Sequence, residues 1–215
     1  MAPLDLTPNN AFIFRITHRD NLAWILDHGL HARNGQLSDP NFRRIGDRDV
    51  IEKRRVRAVS VGNGGTLSDY IPFYFTPYSM MAYNINTGYR GIEQIPNDDI
   101  LVFASSLHAV SHLNIPFVFT DQHALRTVAQ YFTDLNRLDT IKWAILRNRD
   151  FKHDPDDPAK TDLYQAEALI WKHIPINPLL EIGCHSEGVR EEVQHQLTQR
   201  GLNVKATCRK DWYFA

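Results

Sequence analysis

A single α+β domain is the architecture that this sequence predicts, and three observations lead there. Short runs rich in aromatic and β-branched residues are interleaved with short helical patterns, in no regular strand–helix–strand order. The chain has 215 residues, enough for one sizeable core, and is 43% hydrophobic and 23% charged, a globular balance. No internal repeat, low-complexity segment or interdomain linker breaks it, so one domain over residues 1–215 is expected.

Phe12 to Thr17 alternates and is aromatic and β-branched, which predicts a strand. Arg15 and Thr17 share one face, Phe14 and Ile16 the other. Asp20 is placed to cap a short helix carrying Leu22, Ile25 and Leu26, closed by Gly29. Residues 43–57 form the most basic window, and within it Asp49 to Arg54 reads as a short helix. Such a run is usually a solvated face, which makes Arg54 an exposed residue of little weight for stability. The other reading is an anion clamp, because guanidinium groups fork onto phosphate oxygens. Gly62, Gly64 and Gly65 make a turn with neither a phosphate-loop lysine nor a dinucleotide fingerprint.

Tyr70 to Pro77 is a strand dense in aromatics, and Pro72 suggests that it lies at an edge. Ile71, Phe73 and Phe75 then face one way, Tyr70 and Tyr74 the other. Pro77 is expected to start a helix through Met80, Met81, Tyr83 and Ile85 that ends near Gly88. Asp99 to Ala104 and Ile115 to Thr120 read as strands around a short helix with His108 and His112. That histidine pair lacks the glutamate and third ligand of a zinc site, so no metal is expected. Asp121 is placed to cap a helix running toward Phe132, with His123 in its first turn, and residues 135–151 read as a further helix. A polar loop over residues 150–162 leads into a strand, Tyr164 to Trp171. Leu180 to His185 is a short strand, Glu187 to Gln199 an amphipathic helix, and Asn203 to Cys208 the last strand.

Bulk properties exclude several classes. The net charge of −1 advertises no polyanion through a global field, so any such site must come from local clustering. Cys184 and Cys208 are far apart and in no paired motif, which argues against a disulfide framework and a zinc ribbon. No apolar run is long enough to span a bilayer. The first ten residues lack the basic and apolar regions of a signal peptide, so a cytoplasmic location is expected.

Glu167 draws the chemistry together. It is a carboxylate in an apolar strand just after a long loop. Alternation puts Gln165, Glu167 and Leu169 on one face. A glutamate at a strand edge ordinarily faces water; one that is buried needs a partner or a purpose.

The sequence resembles the DarT family of DNA ADP-ribosyltransferases over nearly its whole length. The resemblance is carried by Arg15-Ile16-Thr17-His18-Arg19-Asp20-Asn21, by the run from Gly64 through Phe75, by Pro116 to Asp121, by Gln165-Ala166-Glu167 and by Arg209-Lys210-Asp211-Trp212-Tyr213. Their order and spacing together are specific, though each is short. Arg15 stands where some members of the family carry a histidine.

The resemblance implies an ADP-ribosyltransferase fold of the PARP-like type, with two packed, mostly antiparallel sheets forming a cleft for NAD⁺ and helices around them. It implies a toxin that attaches ADP-ribose to a base of single-stranded DNA, thymine being expected from the Gln165-Ala166-Glu167 segment. A macrodomain antitoxin of the DarG kind is its expected partner. It further implies Glu167 and Arg54 as catalytic residues. Arg15, Thr17, His18, Asn21, Arg54 and Phe75 would hold NAD⁺, with Phe75 on the nicotinamide ring. Met81, His123, Arg209 and Trp212 would lie along the DNA groove.

The residues suit that chemistry on their own terms. NAD⁺ brings its own leaving group, so the protein supplies positioning and charge stabilisation. A fixed carboxylate stabilises the positive charge that develops on the ribose when nicotinamide leaves. Two alternatives stay open: a transferase of this fold acting on RNA or protein, and a catalytically silent nucleic-acid-binding module. A metal nuclease is a poor third, since no metal-binding carboxylate cluster stands out.

Overall fold

The structure, a computed structural model, describes residues 4–215. The first three residues, where the expected domain begins, lie outside the described ones. Strand β1 (Phe12–His18) is buried on both faces apart from Phe12 and Arg15. Its last residue, His18, caps the turn that follows, Nδ1 accepting from the Asp20 amide at 3.1 Å. Asp20, expected to be the cap, lies instead within the turn, because the imidazole already reaches the amide two residues on. Helix α1 (Leu22–His28) buries Leu22, Ile25 and Leu26 as their spacing requires and ends at Gly29. Strand β2 (Leu30–His31) follows, then an irregular wall over residues 32–47.

Helix α2 (Arg48–Val56) starts at Asp47, whose carboxylate accepts from the Asp49 and Val50 amides. It buries no residue fully, the solvated helix that its charge pattern predicts. A turn over Leu67–Asp69 carries a capping box between Thr66 and Asp69 and leads into β3 (Tyr70–Tyr74). Helix α3 (Met80–Thr87) begins after Ser79, whose hydroxyl accepts from the Ala82 amide, and ends at left-handed Gly88. Pro77 therefore precedes the helix and does not start it.

Strand β4 (Ile100–Ser106) is buried throughout and runs into α4 (Leu107–His112), and β5 (Phe117–Thr120) follows. The helix expected from Asp121 is absent. Residues 121–130 form a closed loop before β6 (Tyr131–Phe132): the Asp121 carboxylate accepts from the Gln130 amide at 3.0 Å, and the His123 and Ala124 amides are committed to Asp162 and Glu167. Ala124 is buried in this loop, whereas Val128 is 72% exposed.

The single helix expected over 135–151 is two pieces, a 3₁₀ segment (Leu135–Thr140) and α5 (Trp143–Arg147). Ile141 is extended between them, and Trp143 Nε1 donates to the Leu138 carbonyl at 2.7 Å. Helix α6 (Lys160–Leu163) closes the polar loop ahead of β7 (Glu167–Trp171). The chain ends through β8 (His173–Ile174), β9 (Glu181–Cys184), α7 (Glu187–Gln199) and β10 (Lys205–Cys208).

Strand order is β10-β9-β4-β1-β3-β7-β5-β6, with β2 and β8 forming a separate pair. Among the described residues, only β9 and β10 are parallel. The order divides in two, because β1 and β3 share one ladder pair, Phe14↔Tyr74, whereas β1 pairs β4, and β3 pairs β7, along their lengths. The eight strands are one hydrogen-bonded sheet, and its two mostly antiparallel halves, joined at a single rung, stand for the two sheets of the predicted fold. Pro72 follows from this seam. It pairs Leu169 on the β7 side while its carbonyl turns toward β1 and accepts from Arg15 Nη1 at 2.9 Å. A residue's N–H and C=O point to the same side of a strand, so the proline lacks its N–H only on the side where the ladder is already open. β3 is thus an interior strand with an edge at the seam. One large core cluster spans both halves, from Ile13 and Phe14 on β1 to Phe119 on β5 and Ile182 on β9.

Candidate active site

The seam opens into a cavity of about 270 Å³. Arg15, Ile16 and Thr17 of β1 line one side, Pro72 and Tyr74 of β3 another, and Arg54 of α2 a third. The irregular wall closes it with Phe42, Arg43, Arg44 and Ile45 among others, and Met81, His123 and Gln165 also reach it. Five arginines and two aspartates line it, so the local field is positive although the chain's net charge is −1.

Glu167 is the first residue of β7, opposite Tyr74 in the ladder, and is 0% exposed. Its carboxylate has two donors. Arg54 Nη1 donates to Oε2 at 2.7 Å and the Ala124 amide to Oε1 at 3.0 Å. The water-facing alternative is thereby overturned. Desolvation pushes the carboxyl up, but Arg54, His123 and the Ala124 N–H outweigh it, and the pKa lies below the usual carboxylate range. Glu167 is ionised at neutral pH, a buried anion whose counter-ion reaches the cavity surface.

Arg54 is not the exposed arginine that the helix pattern suggests. Its side chain is 12% exposed, and Nη2 is buried with no partner. A guanidinium with one fork on a carboxylate and the other unused can take a phosphate oxygen as its second ligand. Arg15 also leaves its Nε buried and unpaired. Burial and then the neighbouring Arg54 charge lower its pKa to about 10, so it stays a cation at neutral pH. Tyr74 is held protonated by burial and then by Glu167, so it can serve as a hydroxyl donor.

Thr17 is buried and reaches the cavity. Asn21 acts from behind it. Its Nδ2 donates to Thr17 Oγ1 at 3.0 Å and to the Arg43 carbonyl at 2.9 Å, and its Oδ1 accepts from the Arg43 amide at 2.8 Å. Asn21 thus fastens the irregular wall to β1. His18 is 1% exposed with Nε2 unpaired, and burial, the largest influence, lowers its pKa.

Phe75 is placed elsewhere. It is fully buried, edge-on to Phe119 and Trp143, and presents no face to the cavity. The strand alternation that turns Tyr74 toward the seam turns Phe75 into the core.

Of the expected groove residues, two reach the cavity. Met81 packs on Gly46, whose φ of 97° is a backbone conformation that favours glycine. His123 Nδ1 accepts from the Leu125 amide at 3.2 Å, which leaves Nε2 to carry the ring proton. Trp212 is 2% exposed, edge-on to Phe14 at 5.1 Å and lying against Gly183; it is a core anchor, without a free face for stacking a base. Arg209, directly after β10, is paired with Glu181 of β9 and does not line the cavity.

Among the described residues, no group of three or more His, Cys, Asp or Glu is arranged to hold a metal ion. Sequence reasoning missed the wall over 32–42, whose residues carry no motif, and the supports of Glu167 at Thr120, Ala124 and Tyr131. It also passed over Tyr74, although alternation along β3 separates it from the core-facing phenylalanines.

Residues 14–214 match the family model described as ssDNA thymidine ADP-ribosyltransferase, DarT. A DNA ADP-ribosyl transferase of Escherichia coli O127:H6 is 50% identical over 210 residues, covering 98% of this chain and 96% of that protein. Among solved structures, Thermus sp. 2.9 DarT in complex with ADP-ribosylated ssDNA superposes with a TM-score of 0.84 at 37% identity, covering 96% of this chain and 98% of the other. The same Thermus protein in complex with NAD⁺ gives 0.82 at 35% identity, covering 96% and 99%.

Proposed function

Because the chain belongs to the DarT family of ssDNA thymidine ADP-ribosyltransferases, we propose that it transfers ADP-ribose from NAD⁺ to a thymidine of single-stranded DNA and releases nicotinamide. The observation that carries the site assignment is the buried Glu167 carboxylate joined to Arg54 at the wall of a cationic cavity. We assign the whole of residues 1–215 to one catalytic domain, in keeping with the core cluster that spans both half-sheets.

The residues fit NAD⁺ as a substrate. Its pyrophosphate is an anion, and Arg54 Nη2 and Arg15 Nε are unpaired donors in a positive cavity. Thr17, fixed by Asn21, and the wall that Asn21 fastens line the remaining space. Phe75 is left out, because its ring is enclosed in the core.

In the reaction, the bond between the ribose anomeric carbon and the nicotinamide nitrogen breaks, and the electron pair leaves with nicotinamide. Positive charge develops on the ribose, and the ionised Glu167 stabilises it in a site of low dielectric. Thymidine has one ring N–H, at N3, because N1 holds its own sugar. N3 forms the new bond, and its proton passes to a base. Glu167 is the nearest carboxylate to that role. Since it is fully buried, direct proton transfer requires Arg54 to move from Oε2. His123, as a donor through Nε2, and Met81 line the side on which the base would enter.

The same family membership supports a toxin role with a macrodomain antitoxin of the DarG kind as partner, acting in the cytoplasm. No helix among the described residues is long and apolar enough to cross a membrane.

The direct test is mass spectrometry of a mixed-sequence single-stranded oligonucleotide incubated with the protein and NAD⁺. An ADP-ribose adduct on thymidine is expected, with none on the matching RNA or on added protein. An adduct on RNA or protein in place of DNA would transfer the assignment to that substrate.

A further inference from the structure

Glu167 is held at both its main chain and its side chain by one rung of the sheet. Thr120 and Tyr131 face each other in the β5–β6 ladder. Thr120 Oγ1 accepts from the Glu167 amide at 3.1 Å and donates to the Gln122 carbonyl at 2.6 Å. Tyr131 Oη donates to the Ala124 carbonyl at 2.5 Å, and the Ala124 amide in turn donates to Glu167 Oε1. Arg54 binds only the other carboxylate oxygen.

We propose that Tyr131 is a positioning residue for the transfer reaction, aiming the Ala124 amide at Glu167 Oε1 from the rung that also fixes the Glu167 main chain. The proposal rests on the reading of Glu167 as the catalytic carboxylate.

Three other contacts restrain the 121–130 loop. The His123 amide donates to the Asp162 carbonyl at 2.9 Å, Arg57 Nη2 to the Arg126 carbonyl at 2.8 Å, and Arg126 Nε to Asp162 Oδ2 at 2.6 Å. The first holds the residue before Ala124, and the other two hold Arg126. Tyr131 alone among these grips the residue whose N–H meets the carboxylate, and Ala124 is fully buried, so water cannot replace the bond. The ring of Tyr131 packs on the small cluster around Val59, Leu67 and Val118. Tyr131→Phe therefore keeps the packing and removes only the hydroxyl.

The charged and titratable groups facing Glu167 are Arg54 from α2, His123 from the loop and Tyr74 from β3, with Arg15 of β1 behind Tyr74 and Arg57 beside Tyr131. All of them remain in Tyr131→Phe. The lost hydroxyl also serves Arg57, whose charge stays in place; the change at Glu167 itself is the loosened Ala124 N–H, and losing a donor to the ionised form raises a carboxyl pKa.

The experiment uses the full chain with glutamate carboxyl carbons labelled for NMR, the Glu167 signal being identified by its loss in Glu167→Gln. In Tyr131→Phe the Glu167 carboxyl should titrate at higher pH than in the wild type. The transfer rate at saturating NAD⁺ should fall about tenfold, the scale of one net hydrogen bond, while KM for NAD⁺ stays within about twofold. An unchanged Glu167 titration in folded Tyr131→Phe overturns the proposal whatever the rate does. Should that variant not fold, amide exchange in the wild type decides: a strongly protected Ala124 amide supports the bond, and rapid exchange overturns it. A shifted titration in a protein whose wild type leaves DNA unmodified would uphold the positioning role and bring down the functional reading instead.

Discussion

Arg54 and Glu167 lie 113 positions apart in the chain and 2.7 Å apart in the fold. The arginine comes from a helix with no fully buried residue, the glutamate from the start of an interior strand, and the pair closes the gap between them. Because Glu167 is fully enclosed, Arg54 sustains its charge as well as facing the cavity.

Glu167→Gln keeps the volume and removes the charge. The transfer rate should fall about a hundredfold to a thousandfold, ~3–4 kcal/mol in barrier, the scale of losing one electrostatic stabiliser of a transition state. Label transfer from NAD⁺ to a single-stranded oligonucleotide measures it. Turnover near the wild-type level in a folded variant would remove Glu167 from the mechanism.

Arg54→Ala should damage the fold as well as the reaction. It leaves Glu167 buried without its counter-ion, a loss of about 3 kcal/mol or more. Urea unfolding should show the drop, and the variant should no longer use NAD⁺. Stability equal to the wild type would mean that the pair is not closed in solution. Arg54→Lys should recover part of the stability and little of the activity, because an ammonium cannot fork between carboxylate and phosphate.

Asp69 gives a pH-dependent test away from the chemistry. Burial raises its pKa, but Lys172, the Thr66 amide and hydroxyl, and Asn34 together bring it down to about 2. The folded value lies below the unfolded one, so its stabilisation is complete above about pH 4 and is lost as pH falls through about 2. Asp69→Asn should cost about 2 kcal/mol at neutral pH, with the difference from wild type shrinking as pH falls from 4 to 2. Urea unfolding across that range measures it. A pH-independent difference would point to lost hydrogen bonds alone.

Duplex DNA should be a poor substrate. N3 of thymine is paired and stacked in a duplex, whereas the proposed reaction site lies in a cavity at the sheet seam. Extracting the base costs a few kcal/mol, enough to slow transfer by at least about tenfold. With its net charge of −1, the chain has no broad phosphate affinity to offset that cost. One labelled strand, assayed alone and annealed to its complement in the same salt, tests this; equal rates would show that the protein opens duplexes.

The sequence by itself determined what local pattern can specify. Alternation placed β1, β3 and, from Glu167 on but not over Tyr164 to Ala166, β7, and helical spacing placed α1 and α7, because side-chain periodicity follows directly from backbone geometry. Short motifs in a fixed order identified the family, and a carboxylate in an apolar strand singled out Glu167. Tertiary structure decided the rest. Asp121 to Gln130 became a loop because its amides serve Asp162 and Glu167, partners too distant in sequence for a local pattern to register. Arg54 reads as one more cation on a solvated helix until β7 brings Glu167 beneath it. Phe75 and Trp212 read as available rings until packing encloses them. The wall over residues 32–47 has no periodicity at all, and takes its place because Asn21, held next to β1, binds both the amide and the carbonyl of Arg43. Periodicity reports which way a side chain points; only the assembled sheets determine what it meets there.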